Sequence, residues 1–139
     1  MFYNPILQFV DYLRYREAVK QADNAHEKTG ERYYVMPVHP TRNDKSNKTS
    51  LIILNRNNFR KMKKKHYINH NATQRDLVNE CFYCTTYSNG NGYLDEAGRK
   101  VKLANYFSYC KATRQLYKER KHENKKTWWQ RILHRKSKQ

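Results

Sequence analysis

The residues with the clearest chemical potential are three cysteines, Cys81, Cys84 and Cys110. Cys81 and Cys84 have the C-x-x-C spacing that metal sites use. A structural zinc site needs four ligands in a tetrahedron. Cys81, Cys84 and Cys110 supply three, and His122 or His70 could supply the fourth. Against this, zinc-binding C-x-x-C pairs sit on tight turns with Gly or Pro nearby, so that both sulfurs converge. Here the intervening pair is Phe82-Tyr83, bulky and without glycine. Cys81 also falls on an apolar helical stripe with Leu77 and Val78, and Cys110 on one with Phe107. Free cysteine packs as a small hydrophobe. The expected role of all three is therefore core filling, with no cofactor. Zinc held by Cys81, Cys84, Cys110 and His122 is the lesser alternative. A redox dithiol is a third, without the βαβ pattern that usually accompanies it.

His66 and His70 are four apart in HYINH, with Asn69, Asn71 and Asp76 close by. On a helix they would share one face and could serve a His-Asn-His type, zinc-dependent nuclease. The run follows a helix end and contains asparagines, so a loop is expected instead. Asp95-Glu96 could be a pair of catalytic carboxylates, but acids at a helix start are favoured by its dipole. The four glycines form no G-x-x-x-x-G-K loop, and no G-x-S-x-G elbow occurs. These absences point away from an enzyme and from a small-molecule substrate.

Charge carries the stronger signal. The formal net charge is +17, from 29 Lys and Arg against 12 Asp and Glu. Self-repulsion on this scale costs stability, and a polyanionic partner gives it a use. The charge is uneven. Residues 1–30 hold four acids and four bases, whereas residues 111–139 hold two acids and eleven bases. Arg60, Lys61, Lys63, Lys64 and Lys65 form one cluster, anchored by Phe59 and Met62. Lys118, Arg120, Lys121, Arg131, Arg135 and Lys136 form a second, with Trp128 and Trp129 among them. Lys and Arg bind phosphates by counterion release, and aromatic rings stack on unpaired bases at ~1–3 kcal/mol each. Nucleic acid is thus the expected partner. Docking on a protein, or an interfacial membrane helix over WWQRIL, would use the same tail.

These residues must be positioned by a small fold. The 139 residues fit one domain, and only 37% are hydrophobic, with 12 tyrosines. Tyr15, Ala18, Val19, Ala22 and Ala25 follow helical spacing over 9–28, and Gly30 stops that helix. RYYVMPV and LIIL are strand-like and flank the polar run 39–50, which reads as an exposed loop. Asn55 caps a helix over NRNNFRKMKKK, and Thr73 with Asp76 makes a capping box for a helix through Leu77, Val78, Cys81 and Phe82. SNGNG is a turn. A long helix follows from about Asp95 to Lys121, with Leu103, Tyr106, Phe107, Cys110, Thr113 and Tyr117 inward. KHENKK then interrupts it before a last short helix. The expected class is α+β, mainly helical: a small two-stranded hairpin packed on helices, with a basic C-terminal tail. The domain spans 1–121 and the tail 122–139. No leader-like segment and no run of 18 apolar residues is present, so a reduced, cytoplasmic setting without a transmembrane segment is expected.

YREAVKQADNAHEKTGERYYVMPV, then LIILNRNNFRKMKKK and NGNGYLD, resemble small proteins of gut Bacteroidales and their crAss-like tailed phages. The resemblance covers roughly residues 15–100 and implies a phage or mobile-element context. It carries no functional residue. The combined expectation is a non-enzymatic, nucleic-acid-associated protein of such an element. The alternative is a structural component of a virion or other assembly, docking through its basic, aromatic tail on neighbouring subunits.

Overall fold

The computed structural model describes residues 3–37, 51–66 and 68–137, with side chains as far as residue 119. The polar run expected to loop between the two strand-like segments lies outside the described residues.

Helix α1 spans Pro5–Thr29. Its start is fixed by Asn4, whose side chain accepts the Ile6 N–H, and by Pro5 in the first turn. Its end is Gly30, at φ 72°, whose N–H donates to the His26 carbonyl at 2.7 Å. The helix begins four residues earlier than its apolar stripe predicts, because the cap and the proline extend it. Strand β1 (Tyr34–Pro37) and strand β2 (Leu51–Leu54) pair antiparallel, Tyr34 opposite Leu54. Helix α2 spans Arg56–Lys64 and helix α3 Gln74–Glu80. The Thr73–Asp76 capping box is present in full.

Two elements differ from expectation. The helix expected to run through Cys81 and Phe82 stops at Glu80, and Cys81 adopts extended backbone at ψ 151°. The chain leaves the helix to pair with β1. Phe82 N–H donates to the Val35 carbonyl at 2.9 Å, and Thr85 N–H to the Tyr33 carbonyl at 3.0 Å. Between them lies strand β3, Tyr83–Cys84. The hairpin is thus a three-stranded antiparallel sheet in the order β2-β1-β3. The second difference is helix α4, which runs unbroken over Glu96–Ser137 with no interruption at KHENKK. The sequence beyond Gly98 holds no glycine or proline to break it, and Lys, Glu and Gln are good helix formers. The boundary expected at residue 121 falls inside this helix.

β1 lies at the centre of the fold, and its pleat divides the core. Val35 faces one cluster with Tyr15, Ala18, Ala22, Phe82, Tyr106 and Cys110, so that side is covered by α1 and α4. Tyr34 faces the other with Leu54, Phe59, Leu77, Cys81 and Cys84, covered by α2 and α3. Alternate strand residues point to opposite faces, which makes three layers from one short sheet.

With few aliphatic residues, the first cluster is built on rings. Tyr15 and Tyr106 stack at 5.1 Å between centroids, and Phe82 meets Tyr106 at 5.4 Å. Their hydroxyls are satisfied: Tyr15 donates to the Phe82 carbonyl at 3.1 Å and Tyr106 to the Asp11 carbonyl at 2.6 Å. The α1–α4 contact is locked by a buried ion pair. Arg114 Nη2 meets Asp11 Oδ1 at 2.8 Å and Nε meets Oδ2 at 3.1 Å. Tyr3 also donates its hydroxyl to Asp11 Oδ2.

Candidate functional site

The basic surface that the structure describes best is α2. Asn55 Oδ1 accepts the Asn58 N–H at 2.8 Å, and its amide donates to Glu31 at 2.8 Å, which fixes the helix start. Phe59 is buried and Met62 packs beside it against Tyr34, Leu54 and Leu77. This is the thin apolar seam expected of the run. The seam turns Arg56, Arg60, Lys61, Lys64 and Lys65 outward, all exposed. No acid occupies the helix, and its last turn carries Lys61, Lys63 and Lys64. Cations there also offset the negative end of the helix dipole.

Lys63 is placed differently from its neighbours. Its ammonium donates to the Ala72 carbonyl at 2.7 Å and lies 5.3 Å from the Phe59 ring centroid. It ties α2 to the loop before α3 and is not part of the outward ridge. Lys118 is exposed on α4. Arg120, Lys121, Trp128, Trp129, Arg131, Arg135 and Lys136 lie on the same helix, and their side chains are outside the described residues, as is that of His122.

The candidate histidines and acids lie at turns and helix ends. His66 occupies left-handed backbone, φ 64°, directly after α2, and His70 lies in a later turn. The two do not share a helix face. The Asp76 carboxylate accepts the Thr73 N–H at 2.8 Å, and Asp95 Oδ1 accepts the Gly98 N–H at 2.7 Å. Both acids cap helices.

The three cysteines are buried and reduced, as core cysteines should be, but not on the expected helix pair. Cys81 and Cys84 share the cluster beneath α2 and α3, while Cys110 sits in the cluster beneath α1. The sheet therefore separates Cys110 from the other two. Among the described residues no three His, Cys, Asp or Glu side chains converge as a metal site.

Sequence reasoning missed the two cations that flank the pair. Arg32 Nη2 donates to Cys84 Sγ at 3.1 Å. Lys102 Nζ lies 3.4 Å from Cys81 Sγ and also donates to the carbonyls of Val78 and Cys81, at 2.9 and 2.8 Å. Neither cation is near the pair in sequence, so spacing gives no signal for them. The hydrogen bond from Cys81, supported by the Arg32 guanidinium, draws the Cys84 thiol down to about 5. The same shared proton, with burial, pushes the Cys81 thiol up.

A groove of about 800 Å³ runs between α1 and α4, past Tyr12, Arg16, Lys20, Asp23, Tyr83 and Arg99. Tyr83 donates to Asp23 at 2.7 Å across it. Its walls carry both signs of charge, unlike α2. No described helix is long and apolar enough to cross a membrane. No protein-family model, curated protein or solved structure matches the chain.

Proposed function

We propose that the chain is a non-enzymatic, nucleic-acid-binding protein of a phage or mobile element, gripping the phosphate backbone electrostatically. The observation that carries this is the ridge on α2. Arg56, Arg60, Lys61, Lys64 and Lys65 are exposed on a helix pinned by buried Phe59. A pinned helix presents its cations with little ordering cost, and each phosphate it neutralises releases counterions. Arg60, Lys61, Lys64 and Lys65 meet phosphates first. Lys118, Arg120, Lys121, Arg131, Arg135 and Lys136 extend the track, and Trp128 and Trp129 stack on unpaired bases.

Binding of labelled single-stranded DNA and RNA, followed by anisotropy across a salt series, tests this. Affinity should fall steeply with salt. Replacing Arg60, Lys61, Lys64 and Lys65 by Gln should flatten the slope on a single strand, by roughly 0.7 for each phosphate that the variant leaves unneutralised. No binding of either polymer at low salt would sink the proposal.

A second reading, a component of a virion or similar assembly, is favoured by one observation. Ile6, Phe9 and Leu13 form an exposed apolar stripe on α1, 72%, 60% and 45% accessible. It predicts a defined protein partner recovered with the native chain, and no recovery with Phe9→Asp. A chain that stays monomeric and co-purifies with nucleic acid alone excludes it.

A further inference from the structure

The cysteine pair is arranged for chemistry that core filling does not require. Cys81 closes α3 and Cys84 lies in β3, with the bend at Phe82 between them. That bend sends Phe82 and Tyr83 into one core cluster and returns both sulfurs to the other. The Cys81 thiol donates to the Val78 carbonyl at 3.4 Å, and each sulfur shifts the proton affinity of the other. Arg32 and Lys102 then aim their charged ends at the two sulfurs. Among the described residues neither cation pairs with a carboxylate, and Arg32 Nε is buried without a partner. Lys102 is also held by two carbonyls, so the guanidinium of Arg32 is the cation left short of partners beside a neutral thiol. A thiolate supplies the missing counter-charge.

Arg32 is itself held firmly. Its guanidinium carbon lies 4.1 Å from the Tyr87 ring centroid and 5.4 Å from that of Tyr34. Gly92, at φ 78°, closes the SNGNG turn over it. A Cβ on Gly92 would come within 2.6 Å of Arg32 Nη1 and 2.9 Å of the Tyr87 ring. The glycine, the ring and the guanidinium form a lid over Cys84, which is 4% exposed.

We propose that Cys81 and Cys84 form a redox-active dithiol, with Cys84 the attacking sulfur, Cys81 the resolving one, and hydrogen peroxide the oxidant. The Cys84 thiolate attacks one oxygen of the peroxide. An S–O bond forms, the O–O bond breaks, and the departing hydroxide takes a proton from solvent to become water. Cys81 sulfur then attacks the Cys84 sulfenic acid. The S–S bond forms, the S–O bond breaks, and the Cys81 proton leaves with the oxygen as a second water. The dithiol loses two electrons and the peroxide gains two. The lid admits an oxidant near the size of water and resists bulky ones. Closing the bond removes the thiolate that Arg32 faces. The cation above β3 then loses its partner.

Hydrogen peroxide is the probe, added to the reduced full-length chain with a chelator present. The tryptic peptide 76–99 holds both cysteines. It should lose two hydrogens, regain them with dithiothreitol, and leave Cys110 an alkylatable thiol. The native chain should react faster with peroxide than with an aromatic disulfide reagent, and the order should reverse after denaturation. Arg32→Met should slow the peroxide reaction at neutral pH by roughly tenfold or more, through loss of thiolate. In Cys81→Ser, a sulfenic acid at Cys84 should be trapped by a dimedone probe. Wild-type chain whose Cys81 and Cys84 both remain alkylatable after excess peroxide overturns the proposal. So does Cys84 passing to sulfinic acid with no bond to Cys81. Both readings use unmutated protein, so they hold even if a variant fails to fold.

Discussion

At the scale of single residues, the feature that most constrains the molecule is Asp11, fully buried with its carboxylate shared by Arg114 and Tyr3. Removing Arg114 takes away the closest counter-charge of a buried acid and leaves it Arg14 at 3.9 Å and the Tyr3 hydroxyl, at a cost toward the lower end of about 3–5 kcal/mol. Arg114→Met should lower unfolding stability by that amount in a denaturant titration, whereas the exposed Arg60→Met should change it by under about 0.5 kcal/mol. Both members of the pair are legible in principle. Asp11 precedes Tyr15, Ala18 and Ala22 at helical spacing, and Arg114 follows Tyr106 and Cys110. A charge on an apolar stripe reads as an exception unless its partner is known, and the partner lies on another helix. The cysteines offer a second test at this scale. Cys84 has its folded value depressed to about 5 from 9.0. Between these values the unfolded chain binds more protons, so stability rises with pH across this window and is lost as pH falls toward 5. The difference in unfolding free energy between wild type and Cys84→Ser should grow from pH 5 toward pH 9.

At the scale of elements, caps and stops are legible in the sequence and strand pairing is not. Gly30, Asn55 and Thr73 occupy the positions their types demand, since capping is settled within a few residues of chain. Gly30 has open space where a Cβ would go, so Gly30→Ala tests backbone conformation alone. It should cost about 1 kcal/mol, read as a lowered thermal midpoint with unchanged helix content. β3 is two residues long and has no periodicity of its own; only its register against β1, fifty residues away, makes it a strand. The same reason hides the site around the cysteines. Arg32 comes from the segment before β1 and Lys102 from α4, so no local pattern could bring them together. α4 misleads for the opposite reason: charge density at KHENKK looks like a break, while helix propensity over the same residues is high.

At the scale of the whole molecule, a chain poor in aliphatic residues has built its core from phenols, and this sets its response to alkali. Burial pushes Tyr15 up to about 12, and Tyr3 and Tyr83 rise further, each through burial and a hydrogen bond to a carboxylate. The unfolded chain ionises these groups near 10, where the folded chain keeps them neutral. Stability is therefore intact below pH ~10 and falls as pH rises beyond it. Exposed rings such as Tyr87 and Tyr93 ionise first; the rest of the tyrosinate absorbance should appear together with the loss of far-ultraviolet circular dichroism, and ionisation of every phenol with the helices intact would show that the buried rings are accessible. The large positive charge adds self-repulsion across the surface, so added salt should raise stability while it weakens polyanion binding.

The Asp11–Arg114 pair also bears on the order in which the chain assembles. Its partners are 103 residues apart in sequence, while α1 and its cap form from neighbours. Closing so long a loop costs chain entropy that only later packing repays. The pair should thus form after the rate-limiting step. Arg114→Met should speed unfolding and leave the folding rate almost unchanged in stopped-flow measurements, a φ-value near zero. In the native chain this bond acts as a latch that slows escape from the folded state, set after the helices and the sheet have already met.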